Sequence, residues 1–93
     1  NVMVIPVAFH LGKPYPNPFN PVTTITYDVP FDCEIALSVY DLRGRLIEEL
    51  MSDYIEAGYY AIQWNAQTEA SGVYFIRLVT PKMAITQKML LMK

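Results

Sequence analysis

The 93-residue sequence holds one cysteine, Cys33, and one histidine, His10. A single cysteine rules out an intrachain disulfide and therefore a disulfide-stapled scaffold. One histidine and one cysteine, far apart in sequence, cannot supply a zinc site of ordinary ligand spacing. His10 lies in the apolar stretch 7–11 and reads as structural or exposed. A serine triad needs a histidine beside Ser38, Ser52 or Ser71, and no pattern in the chain suggests one. The glycines, Gly12, Gly44, Gly58 and Gly72, are isolated, which removes phosphate-cradling glycine-rich loops. Charge is scarce, at 17% of residues with a net −2, and this excludes a general nucleic-acid binder with its basic stripe. The longest apolar run, residues 2–9, is broken by Pro6. It falls far short of the roughly 20 residues that span a bilayer, and it lacks the basic start of a signal peptide.

What is present is apolar. Hydrophobic residues make up 53% of the chain, too many for a disordered segment, so one small domain with a packed core is expected. Every acid lies between Asp28 and Glu69, whereas beyond Arg77 the chain carries Lys82, Lys88 and Lys93 and no acid. Such a tail either meets an acidic or anionic partner or uses its lysines to guard an edge strand against unwanted pairing. Asp28, Asp32, Glu34 and Asp41 fall at strand ends and turns, where carboxylates are solvated rather than paired across a cleft. Asp28, Asp32 and Glu34 flank one turn without the dense alternating acids of a strong calcium loop. No metal and no cofactor is expected. Tyr59, Tyr60 and Trp64 are candidates for a sugar-stacking platform, but alternation puts Tyr60 and Trp64 on a core face with Ile62 and leaves Tyr59 alone outside.

Along the chain, residues 1–13 read as a linker or a first edge strand, and residues 14–93 as the domain. Pro14, Pro16, Pro18 and Pro21 make a stiff, extended, non-helical strap. Tyr15 and Phe19 are its candidate anchors, and Asn17 and Asn20 precede prolines as turn initiators. After Pro21 the period is two. Thr23, Ile25, Tyr27 and Val29 share a face, as do Ile35, Leu37 and Val39 on the next strand, with a turn over residues 30–33 between them. Residues 41–44 form a hairpin loop with Gly44 in the left-handed region. Residues 45–51 make a strand with two half-apolar faces, and residues 52–58 a connection between sheets. Strands are further expected over residues 59–64, 72–80 and 84–92, with a polar loop at 65–71. The fold class expected is therefore all-β, an immunoglobulin-like antiparallel sandwich of about seven strands with Trp64 in its core.

Five motifs in order complete this reading. They are Tyr15-Pro16-Asn17-Pro18-Phe19-Asn20-Pro21; Val39-Tyr40-Asp41-Leu42-Arg43-Gly44-Arg45; the stretch from Gly58 to Trp64; Ala70-Ser71-Gly72-Val73-Tyr74-Phe75; and Lys88-Met89-Leu90-Leu91-Met92-Lys93. Over residues 11–93 the chain resembles the C-terminal sorting domain of the type IX secretion system. It is also similar to the immunoglobulin-like part of the flagellar hook-capping protein. The resemblance implies a non-catalytic domain that directs an exported parent protein across the outer membrane to the cell surface or beyond, after passage through the periplasm. Its implied partners are the outer-membrane translocon and its processing machinery, together with the parent domain on its N-terminal side; nucleic acid is not among them, and weak self-association is left open. Lys88, Met89, Leu90, Leu91, Met92 and Lys93 are the residues expected to be read. Tyr15 through Pro21, Gly44, Trp64, Gly72 and Tyr74 are expected to be structural. The alternative function is a structural or carbohydrate-binding accessory module of an extracellular enzyme or assembly. Cys33, placed in a turn where the family tends to have small or polar residues, is either incidental or a reactive thiol.

Overall fold

The computed structural model describes residues 4–93, so the part of the apolar run at Val2 and Met3 lies outside the described residues. All regular elements described are strands: β1 (His10–Leu11), β2 (Val22–Val29), β3 (Cys33–Asp41), β4 (Leu46–Ile55), β5 (Gly58–Asn65), β6 (Gly72–Val79) and β7 (Ala84–Leu91). They form two antiparallel sheets, ordered β1-β2-β5 and β4-β3-β6-β7. This is a seven-stranded sandwich of immunoglobulin-like kind. Its fourth strand pairs with β3 rather than with β5, where the fourth strand of an immunoglobulin constant domain lies.

Period-two patterning produces the core. Ile25, Tyr27, Val29 and Trp64 project from one sheet, and Ile35, Leu37, Val39, Tyr74, Ile76, Leu78, Met89 and Leu91 from the other. Phe9 and Leu11, within residues 1–13, are buried in the same cluster, and β1 pairs with β2. The Asp41 carboxylate organises the β3–β4 turn. It accepts the backbone N–H groups of Arg43 and Arg45 at 2.9 Å each and the Arg45 Nε at 2.8 Å. Those bonds, the Arg45 N–H first, hold its carboxyl below the usual carboxylate range against a smaller opposing effect of burial. Gly44 takes a φ of 82°, which a side chain adopts only with strain.

Two expectations need correction at β4. The strand does not stop at Met51 but runs to Ile55, so only Glu56 and Ala57 connect the sheets. Ser52, Asp53 and Tyr54 are exposed, and they extend the strand because backbone pairing with β3 does not require apolar side chains. The pairing also shifts register twice, skipping Leu50 and Ile47. Each β-bulge resets the alternation, so Ile47, Leu50 and Met51 all reach the core and both faces read half apolar.

Candidate functional site

The strap closes one mouth of the sandwich. Its three bonds Tyr15-Pro16, Asn17-Pro18 and Asn20-Pro21 are cis. Tyr15 exchanges backbone hydrogen bonds with Thr24 at 3.0 and 2.9 Å, and the Pro16 carbonyl accepts the buried Thr23 hydroxyl at 2.8 Å. At the other end, the Phe19 N–H donates to the Leu90 carbonyl at 2.9 Å and the Phe19 carbonyl accepts the Met92 N–H at 3.0 Å. The strap thus joins β2 of one sheet to β7 of the other. Of its two expected anchors only Phe19 buries its ring. Tyr15 is held by its backbone while its side chain is 80% exposed, because it is bridged to Thr24, which lies on the outer face of β2 between the buried Thr23 and Ile25.

Phe19 packs on Trp64 with ring centroids 5.6 Å apart, and Trp64 meets Tyr74 edge-on at 5.3 Å. The three rings, from the strap, β5 and β6, bring distant motifs into one buried cluster. The Trp64 Nε1–H donates across the sandwich to Glu48 Oε1 at 3.1 Å. The Tyr74 hydroxyl donates to the Ala70 carbonyl at 2.6 Å, four residues upstream at the start of β6, as in the tyrosine corner of immunoglobulin sandwiches. Burial, then the nearby Glu69 and Asp41 charges, raise the Tyr74 phenol above its ordinary value and keep it a donor. Gly72 opens β6 beside Leu91 of the final strand, and Gly44 lies apart in the β3–β4 turn.

The final residues divide by face. Met89 and Leu91 are fully buried, whereas Lys88, Met92 and Lys93 are exposed and Leu90 half-buried. Lys93 is held at its backbone N–H by Ser71 Oγ at 3.0 Å, and its ammonium reaches the Gln67 carbonyl. Asn17 adds a contact that the sequence did not signal. Its amide Nδ2 donates to the Lys88 carbonyl at 3.1 Å, and its Oδ1 accepts the Leu90 N–H at 2.9 Å. A side chain here takes the place of a neighbouring strand. Ala66, in the loop expected to be polar, is also buried, and its N–H donates to the Pro21 carbonyl at 2.8 Å.

Other candidate groups are not gathered. Asp32 Oδ1 accepts the Ala57 N–H at 2.9 Å and so fixes the β4–β5 connection. Among the described residues no three His, Cys, Asp or Glu side chains converge as metal ligands. Trp64 is buried and Tyr60 stacks on Tyr27 at 5.4 Å, which leaves Tyr59 alone exposed. The concavities are open surface grooves, such as one of about 540 Å³ lined by Glu34, Ser52, Asp53 and Val79. Cys33 is not in a turn: it begins β3 with its side chain buried, because it continues the inward face of Ile35 and Leu37. Burial, and then the Asp32 charge, push its thiol above the ordinary range. Cys33 should therefore react with a thiol-specific disulfide reagent at neutral pH at least about a hundredfold more slowly in the native chain than in urea. Equal rates in the two states would show the thiol to be accessible.

Comparison with known proteins gives one family. Residues 13–92 match the secretion system C-terminal sorting domain, whose members serve type IX secretion. No curated protein matches the chain.

Proposed function

Since the chain belongs to the family of type IX secretion C-terminal sorting domains, we propose that it is a folded address that an outer-membrane translocon reads by way of its final strand. Domains of this family are non-catalytic sorting signals, and their presence implies export to the cell surface or the extracellular space through contact with the secretion machinery. The finer reading is that a parent protein attached on the N-terminal side passes through the periplasm and is then carried across the outer membrane. Residues 14–93 form the bulk of the sorting unit. Residues 1–13 include its first edge strand and lead to the parent, and processing machinery acts on that junction.

The observation that carries this reading is the two-sided character of the last residues. Met89 and Leu91 secure the strand in the core, while Lys88, Leu90, Met92 and Lys93 face outward on an edge of the sheet. A strand that is anchored on one face presents the other in fixed geometry. An edge also offers the backbone groups used in β-augmentation.

The test is a fusion of this chain to a periplasmic reporter in a cell with a type IX apparatus. The reporter is expected at the surface, and removal of residues 88–93 should hold it in the periplasm. That truncation also removes two core side chains, so a companion variant, Leu90→Ser/Met92→Ser/Lys93→Ala, changes outward positions only. It should stay folded and lose export. Normal surface display by both variants would refute the proposal.

A further inference from the structure

The outer edge of β7 has two different halves. From the Lys88 carbonyl to the Met92 N–H, four hydrogen bonds to Asn17 and Phe19 close it. Phe19 is 2% exposed against Trp64, so this cover is anchored in the core. Strand alternation places the N–H of Lys88 and both backbone groups of Thr86 on the same outer edge. None of the strap's hydrogen bonds reaches them, and no other backbone partner occurs for them among the described residues. The outward backbone groups are therefore unpaired over residues 84–88 and closed beyond, with β1 packed along the inner side of this stretch, where Gln87 Nε2 donates to the Leu11 carbonyl at 2.9 Å.

Cations predominate around the open half; the one carboxylate that shares a groove with Arg77 and Thr86, Asp41, is paired with Arg45 at 2.8 Å. Arg77 lies opposite Thr86, and both are exposed, as are Lys82, Lys88 and, just past β1, Lys13. The neighbouring elements, β6, β1 and residues 12–21, contain no carboxylate. The edge at the far side of the same sheet differs. β4 carries Glu48, Glu49 and Asp53 and is bulged twice, whereas β7 keeps register with β6 over all eight pairs. Bulges turn an edge away from pairing, and a regular edge invites it. Two copies joined β7 to β7 would bring like charges together.

We propose that residues 84–88 are a docking ledge for an acidic, extended segment of the secretion apparatus, which adds beside β7 as a fifth strand. This rests on the reading that the final strand is what the apparatus inspects, and it places the backbone contacts on the N-terminal half of that strand. Arg77, Lys82 and Lys88 then select carboxylates on the incoming segment, by charge complementarity that salt weakens.

Thr86→Pro tests the ledge in the same reporter fusion. Its N–H faces outward, so proline removes a docking donor without breaking the ladder to β6. The melting temperature should hold within about 3 °C while surface reporter falls roughly tenfold. Lys82→Glu/Lys88→Glu should give a similar loss, and Lys82→Arg/Lys88→Arg should export normally. If Thr86→Pro unfolds the chain, the charge pair decides alone. Normal export by the folded variants, beside a block by Leu90→Ser/Met92→Ser/Lys93→Ala, would overturn the ledge and leave the broader reading standing. Normal export by that companion variant and by the chain lacking residues 88–93 as well would sink both. Self-association of the purified chain that Lys82→Glu/Lys88→Glu abolishes, with export unchanged, would assign the ledge to a second copy and overturn the proposal.

Discussion

Phe19→Ala should lower the melting temperature by at least about 12 °C, from a loss of about 3–5 kcal/mol in a domain of this size. The ring is almost wholly buried and packs on Trp64, so its removal opens a cavity that a proline-stiffened strap cannot collapse to fill. The backbone bonds from Phe19 to Leu90 and Met92 depend on the same placement, and the Asn17 contacts lie two residues away. Thermal unfolding followed by circular dichroism measures the effect. At a temperature where the variant is still folded, the reporter fusion should reach the surface as the unsubstituted chain does, if the strap positions the last strand as proposed and is not itself read. Lost export with an unchanged melting curve would mean that the strap is recognised directly.

Trp64→Ala should cost a similar amount, about 3–5 kcal/mol, because it removes the centre of the three-ring cluster and, with it, the hydrogen bond across the sandwich to Glu48. Phe19 and Tyr74 touch Trp64 from opposite elements, so the two losses should not add. The double variant Phe19→Ala/Trp64→Ala should be destabilised by at least about 0.5 kcal/mol less than the sum of the single effects, since neighbours share the packing that each deletes. Denaturant melts of the four chains complete the cycle. Strict additivity would show that the strap is energetically independent of the core. As the sole tryptophan, Trp64 also reports unfolding by its own fluorescence in the chains that retain it.

How much of this was readable beforehand varies with the range of the interaction. The inward faces of β2, β3 and β5 follow from alternation, because every second side chain meets the opposing sheet. Gly44 in its turn followed from local backbone sterics. The sequence pattern neither reaches the end of β4 nor orients it, because its bulges exist only through pairing with β3. Local sequence assigns Cys33 to the preceding turn because its burial depends on the sheet packed above it.

For the recognition surface, the motif pointed to residues 88–93 but was silent on which of their groups are free. Asn17 is more than 70 residues from Lys88 and Leu90, and no periodicity links an amide to a strand edge across such a span. By itself, then, the order of residues settled the all-β class, most of the inward faces and the family, since these depend on neighbours along the chain. The closed and open halves of β7, the buried thiol and the three-ring cluster were decided only by the folded chain, where segments distant in sequence come to share hydrogen bonds and van der Waals contact.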